Sequence, residues 1–256
     1  MKHTLRRLLM RHSVEQRDPE TDQPFVLASG GESWTYIDVR RTVLLPHGLY
    51  ASGLVLLNAF LTDESDEEVT VGAIAGPAIG AIPLASSLML TTYANDQESA
   101  PCMLMVRKEP KGHGTGKLVE GADHLSEGTG VLVVEDVVTK GGSTIQTVKA
   151  LQDIGLKPLL VITLVDRQVG GLEAIQKETG VRAIAVYTME ELLKFSVDDH
   201  VLFIPAPGDG APEGMYLMFN HKGEWTPCSP QQNEYLHSNP NLHVSYKAKE
   251  GEQLGG

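Results

Sequence analysis

The chain has 256 residues, of which 41% are hydrophobic and 21% charged, a composition typical of a globular protein with one sizeable α/β domain, or one such domain plus an appendage. Its formal net charge of -12 argues against nucleic-acid binding, which requires a basic surface. No apolar run reaches the length of a membrane span, and the isolated Cys102 and Cys228 make neither a disulfide framework nor a metal pattern. We therefore predict a cytoplasmic protein with reduced thiols.

The N-terminal quarter predicts a helix, a hairpin and a second helix. The basic stretch MKHTLRRLLMRHSVEQR has no apolar core of signal-peptide length, so we favour an amphipathic first helix over a cleaved organelle address. Apolar runs at residues 24–28 and 34–39 predict a hairpin across residues 29–32. A helix is expected from about residue 48 to residue 61.

From residue 69 onward, strands and helices alternate. Strands are predicted at 69–75, 102–106, 131–136, 159–166 and 182–187, and helices at about 79–92, 143–154 and 171–179, with a turn at Gly76-Pro77 and a capping box at Thr188 and Glu191. The Gly-rich basic stretch 107–117 predicts a loop. Continuous Val, Ile and Leu strands that alternate with helices indicate an α/β fold with a mainly parallel sheet flanked by helices. In such sheets ligands bind beyond the carboxyl ends of the strands.

The pattern changes after about Phe195. Residues 198–256 are rich in Pro, Gly, Asn and His, and only the apolar runs at 201–205 and 215–219 suggest strands. We expect this segment to be a C-terminal extension, and nothing in its residues indicates a role.

The run VLVVEDVVTKGGST at 131–144 combines a strand, two acids, a loop and a helix start. We expect the strand to end at Glu135 and Asp136, the loop to span residues 137–142, and the helix to open at Ser143. Glycines let several backbone N–H groups point inward, and a helix N-terminus adds unpaired donors and partial positive charge. Together they suit a phosphate monoester, while the two acids suit the hydroxyls of a ribose.

Each half of this run also has a plainer explanation. Ser143 and Gln146 have the spacing of a capping box, and acids at a strand end are often only solvated. The complete order of strand, acids, glycine loop and helix is more specific than either half. It contains neither the Gly-Lys-Ser/Thr of a Walker loop nor the Gly-x-Gly-x-x-Gly of a dinucleotide site.

The run at 131–144 resembles the signature with which type I phosphoribosyltransferases bind 5-phosphoribosyl 1-diphosphate (PRPP). The resemblance implies that Glu135 and Asp136 contact the ribose hydroxyls and the cation that develops on the sugar, as catalytic residues. It also implies PRPP-binding roles for Val137, Val138, Thr139, Lys140, Gly141, Gly142 and Ser143.

The loop that begins Arg107-Lys108-Glu109-Pro110-Lys111-Gly112-His113-Gly114 resembles the mobile catalytic loop of orotate phosphoribosyltransferases, R-K-x-x-K-x-H-G. The resemblance implies that Arg107, Lys108, Lys111 and His113 bind the pyrophosphate, with Lys111 and His113 closest to the chemistry. Cations at that place stabilise the departing pyrophosphate, and a closed loop excludes water. In the family this loop reaches the partner's active site, which implies a homodimer that shares loop 107–117. A solvated basic surface loop is the alternative interpretation.

Further positions follow from the same resemblance. Arg167, at a strand end, and Thr139 are expected to bind orotate, because a guanidinium pairs well with a planar carboxylate. Tyr36 and Ile37 fall in the family's N-terminal hood, where they either cover the base or pack in the core. Residues 75–81 resemble the pyrophosphate loop. Some bacterial members have lysines where this sequence has Ala28 and Gly80.

The resemblance covers roughly residues 14–197 and implies a type I phosphoribosyltransferase fold. It assigns residues 1–197 to the enzyme domain, with a small N-terminal hood at about 14–45 and a core at about 46–197, and leaves 198–256 as the extension. The implied reaction converts orotate and PRPP to orotidine 5'-monophosphate and pyrophosphate, with Mg²⁺ held mainly by substrate and water and no protein ligand named. A salvage enzyme for another base and a non-catalytic PRPP-binding regulator are the alternatives. No nucleic-acid or membrane partner is expected.

Overall fold

The structure is a computed structural model that describes residues 1–26, 31–63, 70–98, 100–109 and 117–194, and the backbone of 202–205, 216–219 and 225–227. The chain divides into two units, Met1–Lys194 and Phe195–Gly256. In the described parts of the chain, no helix is both long enough and apolar enough to cross a bilayer.

The first unit contains strands and helices in alternation. Its strands are β1 (Val14–Gln16), β2 (Phe25–Val26), β3 (Glu32–Ser33), β4 (Thr35–Ile37), β5 (Ala73–Pro77), β6 (Cys102–Val106), β7 (Val119–Glu120), β8 (Gly130–Val138), β9 (Lys157–Asp166) and β10 (Ala183–Thr188). Its α-helices are α1 (Lys2–Leu8), α2 (Arg40–Val43), α3 (Pro46–Leu61), α4 (Ile82–Asn95), α5 (Gly142–Asp153), α6 (Gly171–Thr179) and α7 (Met189–Leu193). A π-helical turn at Leu9–Ser13 extends α1, and a 3₁₀ turn lies at Ala122–His124.

Six strands form the central sheet in the order β10-β9-β8-β5-β6-β7. The first five are parallel, and β7 pairs antiparallel with β6. One apolar cluster packs α1, α3 and α4 against one face of the sheet, and a second packs α5 and α6 against the other. The predicted mainly parallel sheet flanked by helices is confirmed, and the middle strands β5, β8 and β9 are largely buried and apolar because both faces of the sheet are covered there.

Strand β5 ends later than predicted. The turn predicted at Gly76-Pro77 is wrong: both residues belong to the strand and pair with Met105 and Val106. Gly76 serves packing, since a Cβ there would lie 2.7 Å from the Ala81 Cβ and 2.9 Å from a main-chain oxygen of β8. The turn therefore lies at 78–81, and α4 begins at residue 82 instead of 79.

Strand β8 also continues beyond its predicted end. Val137 and Val138, predicted as loop residues, pair with Val165 and Asp166 of β9. This pairing corrects the loop to residues 139–141, and α5 begins at Gly142, one residue before the predicted start. The longer strand positions the loop by main-chain hydrogen bonds.

The N-terminal hood differs in register from the predicted hairpin. Strand β2 pairs with β3, whereas β4 pairs with β1, so residues 35–37 do not pair with 25–26. The chain bends at Trp34, across which the Ser33 hydroxyl donates to the Thr35 carbonyl at 2.7 Å. The amphipathic first helix is confirmed, with Leu5 and Leu8 buried.

At α7 the predicted capping box is confirmed, with the Glu191 N–H donating to the Thr188 hydroxyl at 3.0 Å and the Thr188 N–H to the Glu191 carboxylate at 2.8 Å. The second unit contains an antiparallel sheet of β11 (Leu202–Pro205), β12 (Tyr216–Phe219) and β13 (Trp225–Pro227). The two suggested strands are present, and β13 was not predicted.

Cys102 is a free thiol, and Cys228 lies outside the described residues.

Candidate active site

A cavity of about 840 Å³ lies at the carboxyl ends of β5, β8 and β9, with the hood as one wall. This is where ligands bind in parallel sheets. The described residues that line it are Val26, Tyr36, Ile37, Asp38, Val39, Arg40, Pro77, Ala78, Ile79, Gly80, Lys108, Glu135, Asp136, Val137, Thr139, Lys140, Ser143 and Arg167. The lining mixes acids, basic side chains and apolar groups, as expected for a charged ligand with a flat ring.

Glu135 is almost completely buried at the end of β8, with 3% of its surface exposed. Its Oε2 accepts hydrogen bonds from the Ser143 hydroxyl at 3.1 Å and the Thr144 hydroxyl at 2.8 Å. Burial, and secondarily the neighbouring charge of Asp136, raises the pKa of the Glu135 carboxyl to about 8. A carboxyl with this pKa exchanges a proton near neutral pH.

Asp136 is only partly buried and faces the turn that follows β5. Its Oδ1 accepts the Val137 N–H at 2.8 Å. A Cβ on Gly80 would lie 2.4 Å from the Asp136 Oδ2, so the carboxylate occupies the place that a side chain at residue 80 would need. This contact gives a physical reason for glycine at a position where some relatives have lysine.

The loop between β8 and α5 leaves the helix N-terminus open. Gly141 is the residue before the helix and has a left-handed φ of 76°, and no described side chain caps the first turn. A Cβ on Gly142 would meet nothing within 4 Å. The Ser143 hydroxyl bonds Glu135, so the capping-box alternative with Gln146 is wrong. The unpaired N–H groups and the helix dipole therefore remain available to an anion.

Arg167 connects the end of β9 to the hood. Its Nη2 donates to the Ser33 hydroxyl at 3.2 Å and to the Thr35 carbonyl at 3.3 Å. Its main-chain N–H donates to the Val138 carbonyl at 3.0 Å, which holds the side chain beside the loop at 139–141. The guanidinium thus lies in the cavity between the hood and residue 139.

Comparison with known proteins identifies the family. The chain is 40% identical over 154 residues to the orotate phosphoribosyltransferase of Rhodopirellula baltica, covering 60% of this chain and 78% of that protein. It is 37% identical over 171 residues to that of Pyrococcus furiosus, covering 66% and 86%. The chain belongs to the orotate phosphoribosyltransferase family. No family model matches it.

A solved structure supports the same family. It is the orotate phosphoribosyltransferase of Mycobacterium tuberculosis in complex with PRPP, which is 30% identical to this chain with a TM-score of 0.55 and covers 75% of this chain and 98% of that one. The predicted type I phosphoribosyltransferase fold is therefore confirmed, as is the predicted family.

In this member of the orotate phosphoribosyltransferase family, most of the residues predicted for the site meet in the cavity. The predicted residues that line it are Tyr36, Ile37, Lys108, Glu135, Asp136, Val137, Thr139, Lys140, Ser143 and Arg167. Four predicted residues are not among the described lining residues: Arg107, Val138, Gly141 and Gly142. Val138 is buried in the core, and the Arg107 Nε donates to the Glu120 carboxylate at 3.1 Å. Lys111 and His113 lie outside the described residues.

Sequence reasoning did not single out two charged hood residues of the cavity, Asp38 and Arg40. A signal was present in the sequence. Asp38 and Arg40 carry opposite charges at i and i+2, just after Tyr36 and Ile37, which were predicted to cover the base. Val26 was not singled out either, and Ile79 was included only as part of residues 75–81, the stretch that resembles the pyrophosphate loop. Each is 78% exposed although apolar, which suits a wall that a ligand covers.

A Gly171→Ala substitution is expected to destabilise the protein and weaken PRPP binding. The new Cβ would lie 2.3 Å from the Thr139 main-chain oxygen and 2.4 Å from the Val138 Cγ1, so the loop at 139–141 must shift. We expect a loss of about 2–3 kcal/mol in the free energy of unfolding. Urea unfolding and PRPP titration measure both effects. Gly142→Ala is the control for stability, because its Cβ meets open space; equal stability of the two variants would contradict the packing argument.

Proposed function

We propose that this chain transfers the 5-phosphoribosyl group of PRPP to orotate, giving orotidine 5'-monophosphate and pyrophosphate. The observation that supports this most is the pairing of two acids at the end of β8 with the open N-terminus of α5 in one cavity. The acids suit the two ribose hydroxyls, and the helix N-terminus suits the 5-phosphate. This reaction belongs to the biosynthesis of UMP.

In the proposed mechanism, the bond between the ribose C1 and the diphosphate breaks as the base forms its bond to C1. Positive charge develops on the ribose and negative charge on the diphosphate. Asp136, with Glu135 behind it, would stabilise the sugar. The main-chain N–H groups of 139–143 and the Ser143 hydroxyl would hold the 5-phosphate. Thr139 and Arg167 would orient the orotate carboxylate, and Tyr36 and Ile37 would cover the ring.

We propose that Mg²⁺ enters with PRPP. Among the described residues, no group of three or more His, Cys, Asp or Glu side chains could hold a metal ion. Both Asp38 oxygens accept hydrogen bonds from Arg40, so the ion would take its ligands mainly from substrate oxygens and water, beside the Asp136 carboxylate. When bound, the ion neutralises diphosphate charge.

We also propose that the chain forms a homodimer and that its loop at 107–117 reaches the active site of the partner subunit. Arg107, Lys108, Lys111 and His113 would close over the pyrophosphate of the partner subunit, as the order R-K-x-x-K-x-H-G suggests. Helices α3 and α4 expose the large side chains of Tyr50, Leu90 and Tyr93, which is compatible with a subunit interface. A cytoplasmic location and the absence of nucleic-acid and membrane partners stay predictions.

The activity is tested by mixing the full chain with PRPP, Mg²⁺ and orotate and following the loss of orotate absorbance. Uracil and purine bases are the controls. Turnover of orotate alone is the expected result. Turnover of another base in place of orotate would indicate a salvage enzyme, and PRPP binding without any turnover would indicate a regulator; either outcome overturns the proposal.

An Arg167→Gln variant is expected to raise the KM for orotate about tenfold to a hundredfold while changing the KM for PRPP much less. A charge-assisted pair with the orotate carboxylate contributes about 1.5–3 kcal/mol, and glutamine removes the charge. Steady-state kinetics with each substrate varied in turn measure the effect. Arg182→Gln, at an exposed residue before β10, is the matched control. An unchanged KM for orotate would remove Arg167 from the base site.

A further inference from the structure

The hood supplies a cation to the cavity that the family's loop motif does not include. Arg40 lines the cavity, and its side chain is 52% exposed. It begins α2, immediately after the hood strand β4 whose Tyr36 and Ile37 also line the cavity. Its position therefore depends on the hood and not on loop 107–117.

Asp38 holds this arginine in one orientation. The Arg40 Nε donates to the Asp38 Oδ1 at 2.7 Å and the Nη2 to the Oδ2 at 2.9 Å, and the Arg40 main-chain N–H donates to the same Oδ1 at 3.2 Å. Asp38 is only 16% exposed, and its own N–H donates to the Ser13 carbonyl. This side-on pairing uses two of the three guanidinium nitrogens and leaves Nη1 outside the ion pair. An arginine fixed in this way loses little conformational entropy when an anion binds.

Arg40 and Asp136 share the cavity without a described hydrogen bond between them. The hydrogen bonds to Asp38, with the charges of Asp38 and Asp136, raise the pKa of the Arg40 guanidinium, so the Asp136 carboxylate acts on it through space. Gly80 lies against the Asp136 Oδ2 and contributes no side chain to the space. The cavity thus presents a fixed positive group and a fixed negative group to one ligand.

We propose that Arg40 binds the diphosphate of PRPP and stabilises the departing pyrophosphate, while Asp136 faces the sugar. This inference rests on the proposed function. The reaction separates charge across the C1–O bond, with positive charge on the ribose and negative charge on the diphosphate. A cation and a carboxylate in one cavity match that separation, and groups held in place before the reaction need no reorganisation during it. Asp38 is then a positioning residue, because it acts through Arg40.

The test compares Arg40→Gln with Arg41→Gln. Arg41 is the next residue, is similarly exposed and pairs with Glu15, but does not line the cavity. Arg40→Gln is expected to lower kcat/KM for PRPP about 100-fold, to weaken the binding of inorganic pyrophosphate measured by calorimetry, and to leave the KM for orotate within about threefold. Arg41→Gln should leave all three unchanged, and Arg40→Lys should restore part of the pyrophosphate affinity.

Two further measurements separate the explanations. Thermal unfolding of each variant shows whether the fold is intact. An Asp38→Asn variant keeps the Arg40 charge but holds the Arg40 side chain less firmly, so it should lower kcat more than it raises the KM for PRPP. Pyrophosphate binding and kcat/KM of Arg40→Gln within twofold of the native values would overturn the inference, as would a loss confined to orotate. If the native chain binds pyrophosphate but does not use orotate, the proposed function fails, and the calorimetric comparison still decides the role of Arg40.

Discussion

An Asp136→Asn variant is expected to turn over orotate and PRPP about 10²–10³-fold more slowly than the native protein. Asparagine has nearly the same shape, so its Oδ1 can still accept the Val137 N–H and its side chain still fits against Gly80. What it lacks is the negative charge opposite the cation that develops on the ribose. Asp136 is partly buried, so its charge is screened less than it would be in bulk water and has a large effect on the barrier.

Steady-state kinetics at saturating substrates measure this effect as a change in kcat. Asp153→Asn, the same substitution at the exposed end of α5, is the control and should keep full activity. Thermal unfolding should show both variants folded. A kcat for Asp136→Asn within fivefold of the native value would show that the charge of this carboxylate is not needed for the chemistry.

A Glu135→Gln variant without PRPP is expected to be more stable than the native chain at alkaline pH, by roughly 2–4 kcal/mol at pH 9. Burial raises the pKa of the folded carboxyl from 4.5 to about 8. Between these values the folded chain binds a proton that the unfolded chain has released, so the native stability falls as pH rises through this window and levels off above it. Glutamine stays neutral, and its amide oxygen can accept from Ser143 and Thr144.

Urea unfolding at several pH values between 5 and 9 follows this difference. The variant's advantage should be small near pH 5, grow until about pH 8 and then level off. Glu178→Gln, at an exposed carboxylate paired with Lys149, is the control and should show no such growth. A difference between native chain and Glu135→Gln that does not change with pH would mean that Glu135 titrates near its ordinary pKa.

The parts of the fold that could be predicted from sequence are those whose pattern is set locally. Strands β6, β8, β9 and β10 were predictable as mainly apolar runs, longest in β8 and β9 where both faces of the sheet are covered, and helix α6 has the predicted bounds. The capping box at Thr188 was predictable because two residues three positions apart, Thr188 and Glu191, determine it. The acids and the glycine loop after β8 were predictable because a specific order of residues forms them.

The errors arose where distant contacts decide. A glycine before proline is typical of a turn, but Gly76 is needed because β8 and α4 approach β5 too closely for a Cβ. Strand β4 pairs with β1 instead of completing a hairpin, and no local signal distinguishes these partners. Arg40 and Asp38 enter the site only because the hood lies across the ends of β5 and β8, so their role depends on tertiary structure.

The Arg167 Nη2 donates to the Ser33 hydroxyl and the Thr35 carbonyl of the hood. In the proposed base site, the hood therefore competes with the orotate carboxylate for the Arg167 guanidinium. A base with a carboxylate would exchange these two hydrogen bonds to neutral oxygens for a charge-assisted pair, so its net gain is the difference between a stronger and a weaker set of contacts. A base without a carboxylate leaves Arg167 attached to the hood and gains nothing from it. Under the proposed function, selectivity is an exchange equilibrium in which the Arg167 guanidinium binds either the hood or the carboxylate of the base.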